Sequence, residues 1–336
     1  MEIHKIFAGL LTLMLTTTVT QATEPVLSYE VTGNELVLTC SGILYQSEDA
    51  VNWTEVKSAS SPYKVSLSAR QIFFCSQSVA DQPVVSGEDF SVSLPNDVSL
   101  DMVWVEPGTF MMGSPEDELG RQDNETQHEV TLTKGYWLGK YEVTQAQYEV
   151  LMETNPSEFK GADHPVEKVN WFDAIDFCIE LTTVEKAAGR LPWGYEYTLP
   201  TEAQWEYACR AGTTTALNSG RNLLDAAECP EMDEEGWYGY NSDDTTHLVG
   251  QKQPNAWGLY DMHGNVQEWC LDGYEDYGTM PEIDPIRVGG MESSRIVRGG
   301  SWFDRACVCR SASRSCDLSG SGLDKGGFRV ALVPIQ

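Results

Sequence analysis

From residue 98 onward, the chain gives three clear helix signals, separated by long stretches rich in turn residues. Pro107-Gly108, Asn155-Pro156 and Gly299-Gly300 are typical of the turns that interrupt this region. All but one of the ten tryptophans also lie here, and large aromatic side chains can anchor loops by burying apolar surface. A fold built from such a sequence must hold much of its chain in ordered loops.

The helix signals combine a capping residue with an amphipathic run. Thr144 and Thr201 each begin a Thr-x-x-Gln capping box, whose two side chains satisfy free amides of the first helical turn. Asn170 caps a longer run, and Gly189 and Gly212 are typical helix stops. The predicted helices span residues 144–153, 171–188 and 202–211.

The first 22 residues are predicted to be a secretory signal. Lys5 precedes an apolar run, and Thr20-Gln21-Ala22 forms a small-x-small cleavage site. The run is shorter than the about 20 residues of a membrane-spanning helix, which weakens the anchor interpretation. We therefore expect export to the periplasm or the cell exterior, with no membrane insertion after cleavage.

Residues 23–97 contain short alternating runs separated by turn residues, the pattern of a small all-β domain. In an immunoglobulin-like sandwich, one candidate for this domain, Trp53 would pack against a Cys40–Cys75 disulfide. Any small β module would give a similar pattern. We predict a spacer or docking domain here, followed by a second domain over residues 98–336.

Charge excludes several classes of partner. The formal net charge is −29, and 41% of residues are hydrophobic, as in a folded globular protein. An acidic chain is poorly suited to nucleic acid, whose phosphates need a basic face, and to anionic membrane surfaces. The charge is compatible with cations.

Nine cysteines and five histidines give no familiar metal motif. There is no Cys-x-x-Cys pair and no two histidines at i, i+4, so neither a zinc ribbon nor a helix-borne metal site is predicted. In an exported chain, cysteines favour disulfides, and the odd number leaves at least one thiol outside intramolecular pairs. Cys229 and Cys270 are further disulfide candidates.

The second region carries seven motifs in a fixed order. They are Met102–Ser114, Gly139–Gln145, Pro165–Trp171, Leu199–Gly212, Asn255–Trp269, Val297–Trp302 and Gly327–Val330. Together they resemble the formylglycine-generating enzyme family, also called sulfatase-modifying factors. The resemblance implies an α+β, loop-rich fold of the C-type lectin kind, in agreement with the helix and turn pattern.

The resemblance also implies an oxidation reaction and the cysteines at which it takes place. Such enzymes oxidise a cysteine in a Cys-x-Pro-x-Arg segment of a sulfatase, using dioxygen and copper held by two cysteines after a Gly-Gly-Ser motif. Soft thiolates suit cuprous copper. Here Asp304 stands at the first cysteine position and Cys309 at the second. This arrangement resembles the bacterial branch of the family that lacks the copper pair.

Cys307, Cys309 and Ser301 are the candidate catalytic residues. If Cys307-Val-Cys309 lay on a strand, both thiols would face one side and could hold copper. The alternative is that these cysteines form disulfides, and the resemblance implies a Cys209–Cys309 bridge. Ser301 aligns with a family active-site serine, but a serine without a paired histidine is not a nucleophile.

The resemblance further implies a calcium site in the Gly-Asn-x-x-Glu-Trp motif. The implied ligands are Asp261, Gly264, Val266 and Glu268. Two carboxylates with two backbone carbonyls suit a hard cation. The alternative is that Asp261 caps a turn and Glu268 pairs with an arginine.

Charged residues elsewhere have structural interpretations. Arg298, Arg310 and Arg329 are predicted to form buried ion pairs, with Glu142, Glu202 and Glu206 as candidate partners, and the acidic loop over residues 116–125 is predicted to be solvated.

Three functions remain open. The chain could be an exported, calcium-stabilised binding or scaffold domain for a protein or peptide ligand, with a sulfatase among the candidates. It could be a copper-dependent formylglycine-generating oxidase. It could also be another periplasmic oxidase on the same scaffold, as in pyoverdine maturation. Asp304 favours the first.

Overall fold

The structure is a computed structural model that describes residues 87–290 and 294–335, and seven strand segments before them. The chain divides into two compact units. The first comprises Met1–Val85 with Ala187–Gly194, and the second comprises Ser86–Lys186 with Tyr195–Gln336.

The described part of the first unit before Val85 consists of strands. They are β1 His4–Ile6, β2 Leu27–Thr32, β3 Glu35–Cys40, β4 Ile43–Ser47, β5 Thr54–Glu55, β6 Tyr63–Ser66 and β7 Ile72–Gln77. One sheet has the order β1-β7-β4-β5 and another the order β2-β3-β6. Cys40 ends β3 and Cys75 lies in β7, but their side chains are outside the described residues, as is most of the predicted signal.

The second unit contains twelve described strands. They are β8 Phe90–Ser93, β9 Ser99–Val105, β10 Gly108–Met112, β11 His128–Leu132, β12 Tyr136–Gly139, β13 Tyr195–Thr198, β14 Gln267–Gly273, β15 Glu282–Ile283, β16 Ser294–Arg298, β17 Ser315–Leu318, β18 Gly326–Gly327 and β19 Ala331–Pro334. They form sheets of order β13-β19-β12-β9-β8, β17-β16-β14-β18 and β10-β11-β15. Because β8 pairs with β9, this unit begins before the predicted boundary at residue 98.

The three predicted helices are confirmed. They are α1 Gln145–Met152, α2 Trp171–Ala187 and α3 Glu202–Arg210. Both capping boxes are complete: the Thr144 and Thr201 hydroxyls accept from the third helical amide, and the glutamine there accepts from the cap's own amide. Among the described residues, no helix combines the length and the apolarity needed to cross a bilayer.

The main core of the second unit lies between α3 and the sheets. Trp205 of α3 is fully buried and packs with Leu138 of β12, Ile296 of β16 and Met262. Alternate residues of the strands supply its apolar lining, as the two-residue period of a strand requires. The core thus fixes α3 beside the strand that leads into Gly299-Gly300-Ser301.

Four buried arginines bind the long loops together. Each side chain lies in an ion pair: Arg298 with Glu202 and Glu206, Arg310 with Glu118 and Glu125, Arg314 with Glu202, and Arg329 with Glu268. The prediction of buried ion pairs for Arg298, Arg310 and Arg329 is therefore confirmed. Of the predicted partners, Glu202 and Glu206 pair with Arg298.

The prediction that the loop over residues 116–125 is solvated holds for Glu116, Asp117 and Asp123, which are exposed, and was wrong for Glu118 and Glu125. Glu125 is fully buried, and the side chain of Glu118 is 2% exposed. Arg310 donates to both carboxylates and to the Gly120 carbonyl. The guanidinium comes from 185 residues farther along the chain, so no local pattern could reveal the partner. Burial raises the pKa of Glu118 despite this pairing.

Arg310→Ala is expected to lower the free energy of unfolding by about 3–5 kcal/mol, because it leaves buried carboxylates without their cation. Denaturant unfolding of the full chain measures the loss. Arg221→Ala is the matched control, since Arg221 forms an exposed ion pair with Glu234, and such pairs contribute about 0–1 kcal/mol. Equal losses in the two variants would contradict the structural role of Arg310.

Candidate functional site

The segment after Gly299-Gly300 holds a hydrogen-bonded cluster centred on Asp304. The Ser301 hydroxyl donates to Asp304 Oδ2 over 2.6 Å, and Gln267 Nε2 donates to the same oxygen over 3.1 Å. Lys325 Nζ lies 2.5 Å from Asp304 Oδ1. The carboxylate that the resemblance aligns with the first copper cysteine is therefore neutralised by a lysine and fixed by two further donors. We call these four residues the Asp304 cluster.

Cys309 lies below this cluster and is fully buried. Its thiol accepts a hydrogen bond from the Ser301 amide, but burial and the nearby Asp304 charge raise the pKa of the thiol well above its usual range. A Cβ at Gly300 would lie 2.4 Å from Cys309 Sγ, and Gly300 has φ +70°. Glycine is thus required where the thiol packs against the turn. The raised pKa favours the thiol of Cys309 over its thiolate.

Cys307 does not share a strand with Cys309. Residues Ala306–Val308 form a 3₁₀ helix, so the strand that would turn both thiols to one side is not formed. Residues two apart in a 3₁₀ helix are rotated by about 240°, since it has three residues per turn. Ser301 donates to Asp304, and Cys309 lies near the same carboxylate. Half-buried Cys307 is also close enough to Cys309 to add to the pKa shift that burial produces there.

The described cysteines are free thiols. They are Cys178, Cys209, Cys229, Cys270, Cys307, Cys309 and Cys316. The implied Cys209–Cys309 bridge is not formed in the structure. Cys209 Sγ lies 3.6 Å from the Ser311 hydroxyl and 3.8 Å from the Met262 carbonyl, and burial raises the pKa of this thiol to about 12.

Two of the implied calcium ligands lie in a second, buried cluster. Glu268 is held by Arg329, with two contacts of 2.6 and 2.7 Å, and accepts from Trp205 Nε1. Asp261 Oδ2 accepts from the Gly250 amide, but Asp261 Oδ1 is buried without a hydrogen-bond partner. The Glu268–Arg329 ion pair agrees with the alternative to calcium binding, in which Glu268 pairs with an arginine.

The backbone of this second cluster turns sharply at the other two implied ligands. A Cβ at Gly264 would lie 2.1 Å from the Trp237 carbonyl oxygen, and Gly264 has φ +141°. Val266 donates its amide to Glu142 Oε1. Within the described ranges, no three His, Cys, Asp or Glu side chains are grouped to hold a metal ion, so calcium there would depend on the carbonyls of Gly264 and Val266.

Excess negative charge favours a cation at this second cluster. Glu142, Asp261 and Glu268 are all buried, and Arg329 is the guanidinium that faces them. Burial raises the pKa of Asp261 to about 6, and Glu268 adds to the shift. Burial, Asp261 and Glu268 raise the pKa of Glu142 well above its usual range. The orphaned Asp261 oxygen and the unbalanced charge therefore fit calcium.

Aromatic side chains form a surface beside the Asp304 cluster. The rings of Phe159 and Trp302 meet edge to face at 5.2 Å, and those of Trp302 and Phe303 at 5.5 Å. Phe303 is 63% exposed and Tyr240 is 54% exposed. Hydrogen bonds from Gly239 to the Asp304 carbonyl and from Ser242 to the Trp302 carbonyl join their loops. We call Phe159, Tyr240, Trp302 and Phe303 the aromatic face.

Sequence reasoning missed several residues of these sites. Lys325 and Gln267 join Asp304 from strands or loops far along the chain, and no local spacing marks them. Trp302 was predicted to be a packing residue, yet it is partly exposed and belongs to the aromatic face. A signal was present in the Trp302-Phe303 pair directly after a glycine-rich turn, where loops carry function.

Comparison with known proteins identifies the second unit. Residues 91–333 match the family described as the sulfatase-modifying factor enzyme 1-like domain. The chain is 32% identical over 266 residues to the chaperone protein LppX of Paenibacillus barcinonensis, covering 68% of this chain and 88% of that protein. It is 25% identical over 297 residues to the formylglycine-generating enzyme of Mus musculus, covering 68% and 74% respectively.

The fold is similar to that of a solved structure, Treponema denticola variable protein 1. The TM-score is 0.63 at 30% identity, covering 72% of this chain and 98% of that one. The predicted α+β, loop-rich fold is confirmed. The chain belongs to the formylglycine-generating enzyme, or sulfatase-modifying factor, family.

Proposed function

We propose that this chain is an exported binding domain for a protein or peptide ligand, without copper-dependent formylglycine-generating activity. The observation that carries the proposal is the Asp304 cluster. A carboxylate is a hard ligand, and Lys325 already neutralises it. Cuprous copper prefers soft thiolates, so the residues present do not fit copper.

The state of the cysteines supports the same proposal. Cys309 is buried and its raised pKa disfavours the thiolate that would bind metal or attack a substrate. Cys307 lies on a 3₁₀ turn and does not share a strand with Cys309. The position of Cys309 and the likeness to the mouse formylglycine-generating enzyme favour oxidation as the second candidate, with a copper-independent oxidase as the third.

The aromatic face supplies a surface for the proposed ligand. Exposed aromatic side chains bury much area at low entropy cost, and they are enriched at the centres of protein interfaces. Phe303 and Tyr240 project from loops that hydrogen bonds join to one another. A relative named as a chaperone is consistent with a polypeptide ligand.

The full chain is expected to leave a Cys-x-Pro-x-Arg peptide unoxidised in air with copper, as measured by mass spectrometry, and to bind Cu(I) weakly in competition with a chelator. Asp304→Cys is expected to raise the Cu(I) affinity at least tenfold, because it adds a thiolate at the family spacing from Cys309. Asp304→Asn is the matched control, since it breaks the Lys325 ion pair without adding sulfur.

Peptide oxidation by the unaltered chain would overturn the non-catalytic proposal. Loss of that oxidation in Cys309→Ser would establish the copper oxidase, and its persistence without copper in Cys309→Ser would establish the third candidate.

The double variant Phe303→Ala/Tyr240→Ala is expected to bind peptides that were selected against the full chain about tenfold or more weakly. The reason is that hot-spot aromatics each contribute about 2 kcal/mol or more to binding. Peptide display followed by calorimetry measures the effect. Leu318→Ala is the matched control, because Leu318 is 59% exposed, similar to the 63% of Phe303. Selected peptides that bind both variants equally well would exclude the aromatic face as the ligand surface.

We also propose that calcium stabilises the domain through Asp261, Gly264, Val266 and Glu268. Saturating calcium is expected to raise the melting temperature relative to chelator, since a ligand at 100 times its Kd adds about 2.7 kcal/mol. Asp261→Asn is expected to abolish the shift. Asp244→Asn is the control, because Asp244 has φ 57° and Asp261 φ 58°, a conformation that asparagine tolerates. An unchanged shift in Asp261→Asn would exclude this site.

A further inference from the structure

An open cleft of about 310 Å³ lies near the start of α3, and it shares no lining residue with the Asp304 cluster, the aromatic face or the calcium ligands. Its size is at the lower end of the range of ligand sites, about 300–1,000 Å³. The lining residues are Leu132, Lys134, Gly135, Thr201, Gln204, Asp284, Pro285, Val333 and Pro334. They come from the ends of β11 and β19, the cap of α3 and the segment after β15.

Two opposite charges line this cleft. Lys134 is exposed and has no ion pair among the described residues. Asp284 is also exposed, and its carboxylate accepts from the Thr133 amide over 2.7 Å and from the Thr133 hydroxyl. Each carboxylate oxygen has a second lone pair, so Asp284 can still accept from a ligand. The lining of the cleft therefore carries one positive and one negative charge.

Apolar walls stand between these polar groups. Pro285, Val333 and Pro334 line the cleft, and buried Leu132 forms part of it. Ile283, the residue before Asp284, is 70% exposed. Gln204 adds a polar group: its Oε1 accepts from the Thr201 amide, which leaves its NH₂ group as a donor.

The backbone at Asp284 adopts a strained conformation. Asp284 has φ 44°, in the left-handed region that costs a non-glycine residue free energy and that recurs at ligand sites. Its amide donates to the Thr131 carbonyl over 2.9 Å, which holds the residue beside β11. The strain therefore presents a carboxylate at a fixed place in the cleft wall.

We infer that the cleft binds a free α-amino acid with an apolar side chain. Lys134 and the Gln204 NH₂ group receive the ligand carboxylate, Asp284 receives its ammonium group, and the proline and valine walls receive its side chain. A balanced pair of charges with apolar walls matches a zwitterion better than a simple anion, because Asp284 would repel an anion. This inference is independent of the proposed function.

Calorimetry of the full chain with leucine is the test. The expected Kd is on the order of 1 mM, given the few atoms of the ligand. Leucinamide lacks the carboxylate and 4-methylpentanoate lacks the ammonium group, and each is expected to bind about 3- to 10-fold more weakly. Glycine, which lacks the side chain, is expected to show no binding at the same concentrations.

Two variants locate the site. Lys134→Met is expected to raise the Kd for leucine about 3- to 10-fold. The control Lys160→Met, at an exposed lysine outside the cleft, is expected to leave this Kd unchanged. Asp284→Asn keeps an acceptor for Thr133 and tolerates the positive φ, and it is expected to abolish the preference for leucine over 4-methylpentanoate. No leucine binding at 20 times the expected Kd, or binding that both cleft variants leave unchanged, would overturn the inference.

Discussion

Buried guanidinium groups hold this fold together, since they connect loops that regular secondary structure does not. Arg298 donates to the carbonyls of residues 311–313, and Arg329 donates to those of Gly139 and Tyr260. Each guanidinium offers five N–H donors in a planar fork. Carboxylates therefore neutralise the charge of each guanidinium, and its remaining N–H groups donate to loop carbonyls. Those carbonyls would otherwise be buried without hydrogen-bond partners.

The same arrangement explains how the candidate site is positioned. Arg298 ends β16, and its ion pairs with α3 fix the start of the Gly299-Gly300-Ser301 turn. Asp304 follows this turn, at the position that the family resemblance assigns to a copper cysteine, and its carboxylate pairs with Lys325. An ion pair thus occupies a position that the family resemblance assigns to one copper thiol, and family members can share a fold while they differ in chemistry.

The local parts of the fold could be predicted from the sequence. Helix starts at Thr144 and Thr201 were found because a capping box lies within four residues. Burial of Glu118 and Glu125 was missed, since their partner Arg310 is distant in the chain. The conformation at Cys307 stayed open for another reason: a two-residue alternation cannot distinguish a strand from a short turn of 3₁₀ helix.

Short motifs were sufficient to predict the family, the α+β class and the three helices, and the family resemblance implied that Asp304 stands at the position of a copper cysteine. These depend on short motifs whose residues lie close together in the chain. The three-dimensional structure was needed to see what Asp304 contacts, that Cys309 is buried, and that Lys134 and Asp284 line one cleft. Those properties arise from contacts between distant segments, and the free energy of such contacts leaves no periodic trace in the sequence.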